Sequence, residues 1–279
     1  MNLVTHTLLA TSLAAFVSLP ALVTAQSAPR ASLPRTTDGK PDLTGVWQGG
    51  TNIRGTWEEA NSGVGLGGNG TNPEAAGVRS TSERPAGEVA PYQPWAAKKV
   101  LEYYNRRGID DPQVLCLPPG IPRLATAGLM PMQIVQTPMQ IIMLYENMNV
   151  FRIIPLNSKH PDDIVPTYMG DSVGHWEGDT LVIDVVGFNE RTWLQGTGTF
   201  HSEALHVIER YTRVDKDQIN YEATMDDPNV FTKPWTIHST IMLREGTRIR
   251  ESVCAENNVE PSRFEHYQKD GVNFTRPEK

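Results

Sequence analysis

The sequence lacks the signatures that would assign it to a common enzyme class. It has neither a Gly-x-x-x-x-Gly-Lys phosphate-binding loop nor a His-Glu-x-x-His zinc motif. It has no run of basic residues with interleaved aromatics, and its formal net charge is −7. An acidic chain of this kind is poorly suited to bind nucleic acid or an anionic membrane surface. We therefore expect no nucleic-acid partner, and the motifs predict no metal or other cofactor.

Cysteine is scarce, because only Cys116 and Cys254 occur. In an oxidising compartment an isolated pair is most simply a disulfide, which here would close a loop of more than a hundred residues. Two buried free thiols or a thiolate nucleophile are the alternatives. No cationic side chain next to Cys116 would activate it as a nucleophile, so the sequence favours the disulfide.

Long apolar runs are absent after residue 25. Before it, Leu8 to Val23 is almost wholly apolar, although no Lys or Arg precedes it. This run is too short and too interrupted by proline for a membrane span, and Val23-Thr24-Ala25 matches the small-x-small cleavage pattern. We predict a secretory signal over residues 1–25 and a periplasmic or secreted mature chain. A retained membrane anchor is the alternative.

The remaining chain is predicted to hold a flexible leader at 26–41 and a single domain at 42–275. Residues 50–90 are poor in apolar side chains and rich in Gly, Ser, Asn and Glu, which predicts a long loop. Residues 94–107 predict one helix, because Pro94 suits a first helical position and apolar residues recur at helical spacing. This helix is expected to cover an open end or edge of the fold.

The stretch from Gly170 to Phe188 predicts the hairpin around which the domain is organised. Glu177-Gly178-Asp179 suits a tight turn, and Thr180 to Val186 is rich in β-branched residues. Further short strand-like runs are separated by turns rather than helices: Gln133–Gln136, Ile141–Glu146, Val150–Ile154, Leu205–Val214, Gln218–Asp226, Thr236–Leu243 and Arg248–Cys254. This spacing predicts an all-β fold, an antiparallel meander closed into a lipocalin-like β-barrel with one capping helix and a long Gly-rich loop.

The register of one predicted hairpin singles out polar residues. A three-residue loop at 215–217 gives Leu205–Asp226 an apolar and a polar face, and it places Glu209 on the apolar face beside Tyr211 and Tyr221. A carboxylate in that position is a candidate general acid or base. The alternative is a structural ion pair of Glu209 with Arg152 or Arg244.

Other polar and aromatic residues are weaker candidates. The same register sets His206 opposite Asp226, either as an oriented imidazole or as a surface pair. Asp184, in an apolar strand, is a cavity carboxylate or a hydrogen-bond anchor. His201 and His206 are spaced poorly for a shared metal, because strand positions five apart face opposite sides. Three tryptophans either line a cavity for a flat ligand or belong to the core: Trp176, Trp193 and Trp235.

Several motifs resemble a family of secreted proteins that is widespread in environmental bacteria. They are PDLTGVW, CLPPGIPR, IVQTP, GDSVGHWEGDTLVIDVVGF, HSEALHVIERY and CAENN. The resemblance runs from about Gly39 to Asn258 and implies secretion and a single β-rich domain, but it carries over no catalytic residues. Gly45-Val46-Trp47 is also similar to the opening of lipocalin-like barrels. There the indole would close one end of the barrel and Gly45 would let the backbone pass beside it.

The predicted function is capture of a small apolar or aromatic molecule inside a secreted barrel. Whether the protein is an enzyme stays open. An enzyme of this kind would use cofactor-independent acid–base chemistry of the isomerase, lyase or hydrolase type. Its candidate proton-handling residues are Glu209, His206, Asp226 and Asp184, and its candidate ligand contacts are Tyr211, Tyr221, Trp176, Trp193 and Trp235. The alternatives are a structural envelope protein without a ligand and a haem-binding barrel with His201, His206 or His175 as axial ligand.

Overall fold

The computed structural model describes residues 33–49, 90–105, 110–126, 130–195, 198–256 and 258–269. The predicted signal segment and all of the predicted Gly-rich loop except Ala90 lie outside these ranges. The predicted leader is described only from residue 33, where a β-bridge joins Arg35 to Pro41. None of the described helices is long and apolar enough to cross a membrane.

Nine antiparallel strands in the described ranges form one sheet that curves into a nearly closed barrel. This architecture confirms the predicted all-β barrel. The strands are β1 (Gly45–Gly49), β2 (Met132–Gln136), β3 (Gln140–Tyr145), β4 (Phe151–Pro155), β5 (Asp171–Glu177), β6 (Thr180–Val186), β7 (His206–Asp215), β8 (Gln218–Asp226) and β9 (Trp235–Leu243). The helices are α1 (Pro94–Asn105), α2 (Arg123–Thr126) and α3 (Glu260–Lys269), with short 3-10 turns at Pro112–Leu115 and Asn147–Asn149.

The sheet is an up-and-down meander whose strand order is β4-β3-β2-β1-β9-β8-β7-β6-β5. Strands that follow one another in sequence pair with each other, except β4 and β5, and β9 pairs with β1. We call the boundary between β4 and β5 the seam. A single parallel bridge from Leu156 to Gly174 spans it. A Cβ atom at Gly174 would lie 3.1 Å from the side chains of Ile154 and Leu156, so glycine lets the two strands approach.

The β7–β8 hairpin confirms the predicted register. Tyr211 faces Tyr221, Glu209 faces Ala223, and His206 faces Asp226. The connection differs in detail, because Asp215 pairs with Gln218 after an irregularity at the end of β7. The alternation of apolar and polar residues fixed the pairing even though the loop is shorter than predicted.

The predicted strand Arg248–Cys254 is wrong, because the chain has no strand there. Its backbone groups bind side chains instead of a neighbouring strand. The amide of Arg250 donates to Glu146 Oε2 at 2.9 Å, and the amide of Ser252 donates to Asn149 Oδ1 at 3.0 Å. This segment therefore runs along the barrel without extending the sheet.

Trp47 is fully buried near the end of the barrel where β1 begins. Its indole N–H donates to the Leu43 carbonyl at 2.8 Å, and the guanidinium of Arg213 lies 5.2 Å from the ring centroid. Gly45 has φ +148°, and a Cβ there would come within 2.9 Å of Leu243 Cδ1. The close backbone approach expected of the Gly-x-Trp sequence is therefore present.

Helix α1 packs near the opposite end, against the connections that follow β6 and β8. Val100 is fully buried, and the ring of Tyr103 lies 5.0 Å from that of Trp193. Lys99 Nζ lies 4.6 Å from the centroid of the Phe200 ring. Just before the helix, the Gln93 amide donates to the Val230 carbonyl at 2.8 Å. These contacts give α1 the covering position predicted for it.

Candidate functional site

The predicted site residues lie in three different places in the barrel. Glu209, Tyr211 and Tyr221 point into its interior, where they are fully buried. His206, Asp184 and Asp226 lie on the outward faces of β6, β7 and β8. The three tryptophans do not meet in one cavity. Trp193 packs on Tyr103, Trp235 lies 5.4 Å from Phe231, and half-buried Trp176 lies under Lys40.

Glu209 is the centre of a buried polar network, the central cluster, formed with Arg152, Ser172, Tyr211 and Tyr221. Its Oε2 accepts a 2.6 Å hydrogen bond from Arg152 Nη2. Its Oε1 accepts 3.0 Å hydrogen bonds from both tyrosine hydroxyls. Arg152 Nη2 also donates to Ser172 Oγ at 2.9 Å. The ion-pair partner of Glu209 is therefore Arg152, one of the two arginines considered for it.

Charge and burial hold Arg152, Tyr211 and Tyr221 in one protonation state. Burial, reinforced by the Glu209 carboxylate, raises the pKa of Tyr211 and Tyr221 well above the usual range, so both hydroxyls remain donors. Burial alone would lower the pKa of Arg152. Attraction to Glu209 outweighs this effect, and the pKa of Arg152 lies well above its usual value. A carboxylate that already accepts three hydrogen bonds inside a packed barrel is better suited to structure than to proton transfer.

The outward-facing polar residues form a second group, the outer cluster, made of His160, Asp171, Asp184 and His206. His206 Nε2 lies 2.7 Å from Asp184 Oδ1, and His160 Nε2 lies 3.4 Å from the same oxygen. His160 Nδ1 lies 2.5 Å from Asp171 Oδ1. Two imidazoles are thus linked through a shared carboxylate, and a second carboxylate orients one of them.

The imidazole of His206 binds Asp184 rather than Asp226. The backbones of His206 and Asp226 do face each other, as the register predicts. The ring, however, reaches diagonally across to β6, where Asp184 points outward from the neighbouring strand. Asp184 is therefore a hydrogen-bond anchor, one of the two roles predicted for it.

The sequence analysis missed His160 and Asp171. His160 lies in the β4–β5 connection, and no local pattern places it against the sheet. Asp171 could have been found, because Val173 faces Asp184 in the central hairpin and Asp171 is two residues earlier on the same face. The two-residue alternation of side chains along β5 therefore indicates Asp171, but it gives no information on His160.

The hydrogen bonds of the outer cluster assign different roles to its two imidazoles. Both ring nitrogens of His160 face carboxylates, so both donate when the ring is protonated. The Nε2–H of His206 donates to Asp184, which makes Nδ1 the ring atom that can accept a proton. Nδ1 of His206 has no hydrogen-bond partner among the described residues, and the side chain is 41% exposed. A base oriented in this way can take a proton from a bound molecule.

The pentapeptide Gly170–Gly174 reads Gly-Asp-Ser-Val-Gly and matches the Gly-x-Ser-x-Gly pattern of serine hydrolases. Sequence reasoning overlooked this match. A nucleophile of that type sits exposed on a sharp turn from strand to helix. Ser172 instead lies inside β5, is buried, and accepts a hydrogen bond from Arg152. The structural context therefore assigns Ser172 to the central cluster and not to nucleophilic catalysis.

His201 is buried shortly before the start of β7 and is not part of the outer cluster. Its Nε2 lies 2.6 Å from Thr192 Oγ1, and its Nδ1 lies 2.9 Å from the Ser202 carbonyl oxygen. Burial lowers its pKa below the usual value, so the neutral ring is favoured. In the described part of the chain, no three or more His, Cys, Asp or Glu side chains are grouped so as to hold a metal ion.

Stability should fall in mildly acidic solution because of His201. Its folded-state pKa lies below the 6.5 of a free imidazole, so below pH 6.5 the unfolded chain binds more protons and is favoured. We expect His201→Gln to flatten the decline in unfolding free energy below that pH, where one proton contributes at most about 1.4 kcal/mol per pH unit. Urea unfolding at several pH values measures it. A His201→Gln profile equal to that of the wild type would contradict the assignment.

Comparison with known proteins gives no match: no family model, no curated protein and no solved structure is similar to the chain.

Proposed function

We propose that the chain is a secreted β-barrel protein that performs cofactor-independent acid–base chemistry on a small, partly apolar molecule at the outer cluster. The observation that carries this proposal is the 2.7 Å contact between His206 Nε2 and Asp184 Oδ1. It leaves Nδ1 of a half-exposed imidazole free to act as a base. The site lies on the outer wall of the barrel, whereas the sequence predicted a ligand in its interior.

The proposed reaction is proton transfer at carbon, as in an isomerase or a lyase. His206 Nδ1 removes a proton from a carbon next to a carbonyl group, and Asp184 stabilises the imidazolium that forms. The same imidazolium returns the proton to another carbon in an isomerisation, or to a leaving group in an elimination. Each step moves one proton and needs no oxidant or reductant.

Apolar side chains on the same face support an apolar or aromatic substrate. Val173 and Ile208 flank Asp184 in the strand pairing, and both are half-buried. Val186 follows on β6 and is also half-buried. An apolar ring lying on these side chains would place a reacting carbon near His206 while the carboxylates remain solvated.

Two observations support secretion. The disulfide between Cys116 and Cys254 is of a kind that persists mainly in oxidising compartments. The long motifs from Pro41 to Asn258 resemble a family of secreted bacterial proteins. We propose this family membership on those motifs alone.

One alternative also has structural support, and another fits poorly. The large aromatic side chains that fill the barrel interior, Trp47, Tyr211, Tyr221 and Trp235, are fully buried, which favours a structural envelope protein over an interior ligand carrier. The haem alternative fits poorly, because both ring nitrogens of His201 are already hydrogen-bonded. His206 and His175 each bind a carboxylate through Nε2, the atom that would bind iron.

Hydrogen–deuterium exchange at carbon tests the proposed activity directly. We expect the wild-type protein in D2O to exchange the α-protons of some members of a panel of small aryl and alkyl ketones, followed by NMR. A positioned base accelerates proton transfer by roughly a hundredfold or more, so the exchange rate with His206→Gln should be lower by about that factor. Asp184→Asn should lower the exchange rate by a smaller factor, because the imidazole of His206 would no longer be held by a carboxylate.

The matched control is His175→Gln, which changes a half-exposed histidine of the same outer sheet face. It should leave the exchange rate unchanged, and thermal melts should show all three variants folded. Equal exchange by wild type and His206→Gln would contradict the proposal. A panel on which the wild type shows no exchange would favour the structural alternative.

A further inference from the structure

A groove of about 850 Å³ lies outside the barrel and shares no residue with the outer cluster. One wall is the segment Arg244–Arg250, which follows β9. The facing side includes Gln48 of β1, Pro131 and Glu146. We call this feature the outer groove, and its size falls within the usual range for sites that hold small molecules.

Three arginines line the outer groove: Arg244, Arg248 and Arg250. All three are exposed, and their guanidinium groups have no ion pair or hydrogen bond with a described residue. Four of the other described arginines are in ion pairs, Arg35–Asp179, Arg123–Asp111, Arg152–Glu209 and Arg210–Glu177, and Arg213 donates to backbone carbonyls. Exposed Arg191 also lacks an ion pair among the described residues, but it lies away from the groove. In a chain with a formal net charge of −7, three unpaired arginines around one groove stand apart from the general pattern.

The arginine-bearing segment is anchored to the barrel at both ends. The Arg244 amide donates to the Val46 carbonyl at 2.8 Å, and the Arg250 amide donates to Glu146 Oε2 at 2.9 Å. Between them a turn forms, in which the Thr247 amide donates to the Arg244 carbonyl at 3.1 Å and Gly246 adopts φ +70°. One carboxylate oxygen of Glu146 therefore already accepts a hydrogen bond from the backbone of this segment. The segment presents its guanidinium groups from a fixed backbone, which lowers the entropy cost of binding.

We propose that the outer groove binds a small molecule that carries two or more anionic groups, phosphate or carboxylate. Guanidinium groups bind both oxyanions through paired hydrogen bonds, and several arginines around one groove suit a ligand with more than one charge. The groove's own carboxylates, Glu146 and Glu245, are outnumbered by its arginines. This site is independent of the acid–base activity proposed for the outer cluster.

Calorimetric titration with pyrophosphate and with citrate tests the proposal and distinguishes the two chemistries. We expect at least one of them to bind at low ionic strength and to bind more weakly when the ionic strength is raised to about 0.3 M, where exposed charges are screened. The triple variant Arg244→Gln, Arg248→Gln, Arg250→Gln should weaken binding by roughly thirtyfold or more. Choline, a cation of similar size, should not bind.

The control variant is Arg191→Gln, because Arg191 is exposed, lies outside the groove and is in none of the described ion pairs. It should bind the anions as the wild type does. The guanidinium groups of these three arginines make no hydrogen bond or ion pair with a described residue, so the thermal melt of the triple variant should match that of the wild type. Unchanged anion affinity in the triple variant, an equal loss in Arg191→Gln, or no binding of either anion at low ionic strength would overturn the proposal.

Discussion

Glu209→Gln is expected to lower the free energy of unfolding by about 3–5 kcal/mol, the usual cost of breaking a buried ion pair on one side. Arg152 would keep its charge inside the barrel but lose its carboxylate partner, because the glutamine amide offers a single neutral acceptor oxygen for Arg152 and the two tyrosines. Both tyrosine hydroxyls would also lose a charged acceptor. Urea unfolding at neutral pH, followed by tryptophan fluorescence and circular dichroism, measures the loss.

Two further variants separate the charge effect from a simple loss of hydrogen bonds. Replacing both partners, as in Glu209→Leu with Arg152→Met, removes the unpaired charge and should recover much of the stability, since apolar replacements of buried pairs are often neutral or stabilising. Tyr221→Phe removes one hydrogen bond to the carboxylate without leaving a charge unpaired, and it should cost about 1.5–3 kcal/mol. If Glu209→Gln costs no more than Tyr221→Phe, the central cluster does not hold the barrel together in the way its geometry indicates.

Removing the disulfide is expected to have an effect of similar size. Cys116 and Cys254 are bonded across a sequence separation of 138 residues, so the bond restricts a large part of the unfolded chain. The chain-entropy model gives about 5 kcal/mol for a loop of this length. We therefore expect the double variant Cys116→Ala, Cys254→Ala to unfold at much lower urea concentration than the wild type.

Thiol chemistry provides the control for this prediction. Protein that has passed through an oxidising compartment should show no free thiol when it is denatured without reductant. Reducing the wild type should reproduce the loss of stability seen in the double variant, because both lack the same cross-link. Two reactive thiols in the exported protein, or a double variant as stable as the wild type, would contradict the prediction.

The fold could be predicted from the sequence because its signals are local. Apolar and polar residues alternate along β7 and β8, and this pattern predicted their register. Tyr211 and Tyr221 were therefore placed opposite each other from the sequence alone. The Gly-x-Trp pattern is local in part, because the Trp47 indole donates to the Leu43 carbonyl four residues earlier, whereas the close approach at Gly45 is to Leu243 of the last strand. The strand predicted at Arg248–Cys254 was wrong, because a β-like composition does not show whether a neighbouring strand is available to pair with it.

The candidate site was harder to predict because it depends on which strands become neighbours. From the sequence, either Arg152 or Arg244 could pair with Glu209, and only the closing of the barrel brings Arg152 of β4 next to β7. His206 has a carboxylate opposite it in Asp226, yet its side chain turns to Asp184 on the other neighbouring strand. His160 lies in the β4–β5 connection, and no periodic pattern in the sequence shows where such a connection crosses the sheet.

The pairing of β1 with β9 has a consequence for how the protein is made. Gly49 at the end of the first strand lies opposite Ile241 in the last, and Trp47 lies opposite Leu243. A chain that emerges from its amino terminus can form β1 to β4, and later β5 to β8, from neighbouring hairpins. Until β9 has also emerged, however, β1 and β8 each present an unpaired strand edge, which other chains can join. The newly made protein is therefore prone to associate with other chains until its last strand arrives, and a chain that ends before β9 would leave both edges open.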